Sequence, residues 1–129
     1  MTLFDKLKAC ILVPKARSHL LIVIKQLKTQ NYDILLKVKH QQNHKINSIN
    51  AIVKSYFWAS RTIKNCHCLP RSIALYQKLR STGYEVKHKF GVNKNNNKMA
   101  AHSWVEYQNI PLNESKDLKQ KFKVLKHPE

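Results

Sequence analysis

An α+β fold, with helices first and a small antiparallel sheet after them, is predicted by three observations. Apolar residues recur at helical spacing as far as Leu79. From Tyr84 the pattern changes to strict alternation. The two patterns follow one another in blocks, without the repeated strand–helix alternation of a doubly wound sheet.

Taken in order, Thr2 followed by Asp5 resembles a capping box at the start of a first helix. Leu20, Ile24 and Leu27 share one helix face, and Ile34, Leu35 and Val38 another, with a turn at Thr29-Gln30-Asn31. Residues 41–50 are polar and lack an apolar period, so they read as a linker. Ile49, Ile52, Val53, Tyr56 and Phe57 then define an amphipathic helix capped by Asn47 or Ser48. Pro70 suits the first turn of a new helix, Leu69, Ile73, Tyr76 and Leu79 form its buried stripe, and Gly83 closes it. Tyr84 to Val92 is the first strand, Asn93 to Lys98 a loop, Met99 to Tyr107 the second strand and Ile110 to Asn113 the third. From Lys116 the chain is charged and suits a short closing helix. The expected organisation is one domain over 1–129: a basic helical lead (1–45), a core (46–115) and a charged C-terminal segment (116–129).

A chain of 129 residues with 43% hydrophobic content can bury one modest core and is not a disordered tail. Lys and Arg number 24 against 7 Asp and Glu, a net charge of +17 that attracts polyanions, membrane surfaces or acidic peptides without choosing among them. The lysines are spread along the whole chain and no groove-reading motif accompanies them, so nucleic acid is not the expected partner. Three cysteines, Cys10, Cys66 and Cys68, suit a reducing compartment better than a disulfide framework. The apolar run Leu20–Ile24 falls far short of the roughly 20 residues of a membrane span. A cytoplasmic protein is expected.

Cys68 falls within a turn of a predicted helix N-terminus, where unpaired N–H groups and the helix dipole favour thiolate and can hold an oxyanion. His102 falls mid-strand, and a helix-tip Cys followed by a strand His is the arrangement that Cys–His hydrolases need. The turn after the second strand decides which group orients the imidazole. A three-residue loop, Tyr107 to Asn109, pairs Glu106 with Ile110 and sets Glu114 opposite His102. A two-residue loop, Gln108-Asn109, sets Asn113 on the His102 face and points Glu114 away. The first register makes a Cys68–His102–Glu114 triad; the second makes Asn113 the orienting residue.

The blocks Cys68-Leu69-Pro70-Arg71-Ser72, Leu79 to Gly83, Gly91-Val92 and Ala101-His102-Ser103-Trp104-Val105-Glu106 together resemble the transglutaminase-like leader peptidases of lasso-peptide biosynthesis, to which half of the microcin-processing protease is related. The resemblance covers about residues 50 to 115. It implies a transglutaminase-like, papain-like core, with Cys68 as nucleophile and His102 as base. It also implies removal of the leader from a ribosomally made precursor, beside a separate leader-recognition protein and an ATP-dependent macrolactam synthetase. The family's third residue is usually Asp, at the position of Glu114 here. The family's Asp-Gly hairpin is Gln108-Asn109, and the leading helices are more basic than the family's.

Other readings are kept beside this one. A metal site from Cys66, His67, Cys68 and His88 lacks the second ligand pair of common zinc modules, and neither a metal nor a cofactor is expected. Trp58 and Trp104 read as packing groups. Arg71 reads as a solvated residue able to bind a substrate carboxylate. The rival functions are a non-catalytic basic protein binding nucleic acid or an acidic partner, and an acyl transferase using the same residues with an amine in place of water.

Overall fold

A computed structural model describes residues 2–39, 48–95, 98–114 and 118–125. The helices are α1 (Leu3–Leu27), α2 (Tyr32–Leu35), α3 (Ile49–Arg61), α4 (Cys68–Thr82) and α5 (Leu118–Lys121). The strands are β1 (Val86–Asn95), β2 (Lys98–Tyr107), β3 (Ile110–Pro111) and β4 (Lys123–Leu125), in one sheet of order β3-β2-β1-β4. Every pairing is antiparallel. The architecture is α+β, with helices packed on a small antiparallel sheet.

Local chemistry starts α1 and α3 and stops α4 near the predicted places, while α2 ends at Leu35, short of the predicted Val38. Thr2 Oγ1 accepts from the Asp5 amide at 3.1 Å, and Ser48 Oγ accepts from the Ala51 amide at 3.2 Å. Ser48 also donates to Asp5 Oδ1 at 2.8 Å, which ties the two helix starts together. Helix α1 runs unbroken through Pro14, whose ring removes one helical hydrogen bond. Packing offsets this loss: Ala9, Ala16, Leu20 and Val23 are buried, and α1 lies chiefly against α3. The opposite side of α1 leaves Leu3, Phe4, Leu7 and Ile11 exposed. Gly83 ends α4 at φ 111°, and the Tyr84 amide reaches back to the Leu79 carbonyl at 2.9 Å, a Schellman closure.

One core joins these layers. Leu20 and Val23 of α1, Ile52, Tyr56 and Ala59 of α3, Ile73 and Leu79 of α4, and Val105 of β2 belong to it. Beside it lies a polar tie. His19 accepts the Tyr56 hydroxyl on Nδ1 (2.5 Å) and donates from Nε2 to Gln77 Oε1 (2.8 Å), while Gln77 donates to the Leu35 carbonyl (2.7 Å). The four helices α1 to α4 thus share one hydrogen-bonded chain.

The sheet departs from the predicted strands in several places, and β1 begins at Val86 rather than Tyr84. The two long strands extend to Asn95 and from Lys98, into the segment read as a loop. Backbone pairing there continues without the apolar alternation that would have shown it in sequence. The third strand stops at Pro111 rather than Asn113, because Asn113 turns left-handed at φ 55° and cannot continue an extended ladder. Strand β4, pairing Val92, Gly91 and Phe90 with Lys123, Val124 and Leu125, was not predicted at all. The linker expected at residues 41–50 lies mostly outside the described residues; Ser48 caps α3, and Ile49 and Asn50 begin it.

The hairpin register is also corrected. Tyr107 pairs with Ile110 and Glu106 with Pro111, so the loop has two residues, Gln108 and Asn109. Both have positive φ, 52° and 65°, as a type I′ turn demands. The three-residue loop is overturned because left-handed geometry begins at Gln108, not only at Asn109.

Candidate active site

Cys68 is the first residue of α4, with His67 as the N-cap residue. The Cys68 and Leu69 amides have no carbonyl one turn earlier within the helix, and Pro70 has no amide to offer. Two donors therefore remain beside the thiol. The Arg71 amide already bonds the His67 carbonyl at 3.4 Å. Cys68 is partly exposed, as is Cys66, whereas Cys10 lies on the open surface of α1. Burial pushes the Cys66 thiol above its usual range, opposed by the positive charge of Arg71.

His102 lies on β2 opposite Gly91 of β1. Its Nε2 meets Glu114 Oε1 at 2.7 Å, with both side chains about four-fifths buried (21% and 17% exposed). This contact forms even though the register is the one expected to turn Glu114 away. The strand ends at Pro111, and the left-handed Asn113 swings the next residue back toward β2. Asn113 itself is exposed. With Nε2–H given to the carboxylate, the Nδ1 lone pair of a neutral imidazole is left to act as a base. The ring stacks on Trp104 (centroids 5.9 Å, 25°) and meets Phe122 at 5.5 Å. Trp104 is anchored in turn by its indole N–H, which donates to buried Glu106 at 2.9 Å.

Phe122 reaches this face because Gly91 leaves room for it. A Cβ on residue 91 would sit 2.7 Å from Phe122 Cβ and 2.8 Å from the Trp104 ring.

Helix α4 is pinned to the other face of the sheet by a buried cluster. Ser72 Oγ lies 2.8 Å from His88 Nε2 and 2.9 Å from Ser103 Oγ, and donates to the Leu69 carbonyl at 3.0 Å. Ser72 is one helical turn after Cys68, and Ser103 follows His102, so the cluster links the element carrying the thiol to the strand carrying the imidazole. Among the described residues, the Cys68 thiol makes no hydrogen bond to His102 or Glu114. The structure thus joins His102 to Glu114 and places Cys68 on the helix clamped to the same strand. Catalytic hydrogen bonds of this kind often close only around substrate. His88, weighed with the cysteines as a metal ligand, sits instead between α4 and the sheet on Ser72. No group of metal-binding side chains occurs among the described residues.

A shallow cleft opens where β3 ends and leaves the edge of β2 uncovered. Phe57, Arg71, Ser72, Trp104, Asn113 and Glu114 are among its lining residues. Its volume is about 20 Å³, room for a water and little more, and neither Cys68 nor His102 lines it.

Reading the sequence for function did not single out Ser72, Ser103 or Phe122. The first two carried a usable signal: Ser72 lies four residues after Cys68, and Ser103 alternates with His102 to the helix-facing side. Phe122 carried none, since it lies between α5 and β4 in a segment without periodicity.

Among described residues, no helix is long and apolar enough to cross a membrane. No curated protein and no solved structure matches the chain. A family profile described as the transglutaminase-like superfamily matches residues 20–127. That span takes in α3, α4 and the whole sheet, and on it the chain belongs to the transglutaminase-like superfamily, whose members are typically cysteine peptidases or acyl transferases.

Proposed function

We propose that this protein is a cysteine peptidase that removes the leader from a ribosomally made lasso-peptide precursor. The observation that carries the proposal is the 2.7 Å bond from His102 Nε2 to Glu114, which orients an imidazole whose other nitrogen is free to serve a thiol. Cys68 supplies that thiol from the start of α4. Its thiolate attacks the scissile carbonyl, and the amides of Cys68 and Leu69 receive the developing oxyanion. His102 gives its proton to the leaving amine, and water, deprotonated by His102, then releases the acyl-enzyme. Glu114 stabilises the imidazolium between these steps. The lasso assignment rests on the ordered blocks Cys68 to Ser72, Gly91-Val92 and Ala101 to Glu106.

The proposal includes a separate leader-recognition protein and a macrolactam synthetase that takes the freed core peptide, as the lasso resemblance implies. Incubating the protein with a precursor, with and without the recognition protein, tests it. Cleavage at one leader–core bond, fast only with the recognition protein and absent in Cys68→Ala, is the expected result. An intact precursor under both conditions would sink the peptidase reading. The +17 charge favours a second reading, a non-catalytic binder of nucleic acid or an acidic protein. It predicts tight, salt-sensitive binding to such a polyanion and a Cys68 no more reactive to iodoacetamide than Cys10.

A further inference from the structure

Three cations gather on one aromatic ring at the mouth of the cleft. Arg61 lies 4.6 Å, Arg71 5.4 Å and Lys54 5.6 Å from the centroid of Phe57. Lys54, Phe57 and Arg61 share one face of α3 by their spacing, while Arg71 approaches from α4. In a chain of net charge +17 such a gathering is repulsive, and each cation–π contact returns only about 0.5–1 kcal/mol at an exposed site. None of the three forms an ion pair with a carboxylate among the described residues. Arg71 stands three residues after Cys68, on the same side of α4, and its charge is felt at Cys66 just before the helix. It also lines the cleft together with Phe57 and Glu114. A guanidinium offers a planar fork that matches a carboxylate.

We propose that Arg71, with Arg61 and Lys54 held around Phe57, forms a carboxylate subsite beside Cys68 that selects peptides bearing an Asp or Glu side chain close to the scissile bond. The assignment of a substrate rests on the peptidase reading; the anion subsite itself does not. The overall positive field would attract any anion, so the test must separate a local site from that field. Iodoacetate and iodoacetamide alkylate a thiolate in the same way, each losing iodide, and differ in the carboxylate. Their rates are measured at each cysteine by peptide mass, and Cys10, exposed on α1, reports the general field.

The expected result is an iodoacetate-to-iodoacetamide rate ratio at Cys68 on the order of tenfold above that at Cys10. It should fall to the Cys10 value in Arg71→Gln and part of the way in Arg61→Gln, a more exposed position that keeps the test readable if the first variant folds poorly. Equal ratios at Cys68 and Cys10, or a Cys68 ratio unchanged in folded Arg71→Gln, would overturn the subsite. Precursors with single Glu→Gln or Asp→Asn changes near the cleavage site supply the second arm. One of them should raise KM in the wild type and have no effect in Arg71→Gln. Cleavage that ignores every such change overturns the selectivity while leaving the peptidase standing. A raised ratio with no precursor cleaved sinks the peptidase and leaves the anion site.

Discussion

Glu114 reaches His102 from a position that the strand ladder would have turned away. The ladder pairs Glu106 with Pro111 and ends there, and the left-handed Asn113 (φ 55°) redirects the chain so that Glu114 Oε1 lies 2.7 Å from His102 Nε2. Asn113 therefore bears on His102 through the backbone, with its side chain exposed.

This makes a two-residue prediction. Glu114→Gln should slow cleavage on the order of ten- to a thousand-fold, less than the loss of the orienting Asp costs a serine protease, because a thiolate needs less help. Glu114→Asp should keep much of the rate. Asn113→Ala should also slow cleavage, since Ala lacks the short polar side chain that eases Asn into the left-handed region, where other residues lose about 1–2 kcal/mol, whereas Asn113→Gly should remain active. Steady-state kinetics on the four variants decides this; an inactive Asn113→Gly would mean that the Asn side chain itself is needed.

Cys68→Ala should abolish cleavage with an unchanged melting temperature, because it removes a nucleophile and little volume. Cys66→Ala and Cys10→Ala should keep most activity. If Cys66→Ala is the dead variant, the wrong thiol has been assigned.

Gly91→Ala should cost about 1–3 kcal/mol of stability, since its methyl group would press on Phe122 Cβ and the buried Trp104 ring. The denaturant midpoint measures this. A midpoint equal to the wild type would show that Phe122 does not lie over Gly91 in solution.

His19 should make stability fall in mild acid. Burial holds its pKa below the usual 6.5, and the hydrogen bond to Gln77 only partly opposes this. The unfolded chain therefore binds a proton more readily than the folded one. The contribution is fully present above the unfolded pKa of about 6.5 and is lost as pH falls through that value toward the lower folded one. Urea titrations between pH 5 and 8 should show the slope, and His19→Gln should flatten it. A slope of equal size in the variant would assign the effect to another group.

The helices were legible because capping and periodicity are local. Ser48, Pro70 and Gly83 mark boundaries by their own backbone preferences, and the buried stripe of α4 repeats with the helical turn. Strand ends were less so, since Asn95 and Lys98 pair through backbone atoms that are alike in every residue. Strand β4 left almost no trace, because its three exposed residues answer to Phe90, Gly91 and Val92 more than thirty positions earlier. Within the site, the approach of His102 and Glu114 was anticipated from a hairpin register that the structure corrects. A turn type depends on which residues accept positive φ, and Gln108 gives little warning that it does.

The aromatic cover of His102 hangs on a short splice. Phe122 follows every other group named in the site along the chain, and β4 ties that segment to β1 through three residue pairs. A segment held by so few pairs opens more readily than the long β1–β2 ladder beside it. Whenever β4 lets go of β1, one side of the His102 ring is bared while the rest of the sheet stays paired.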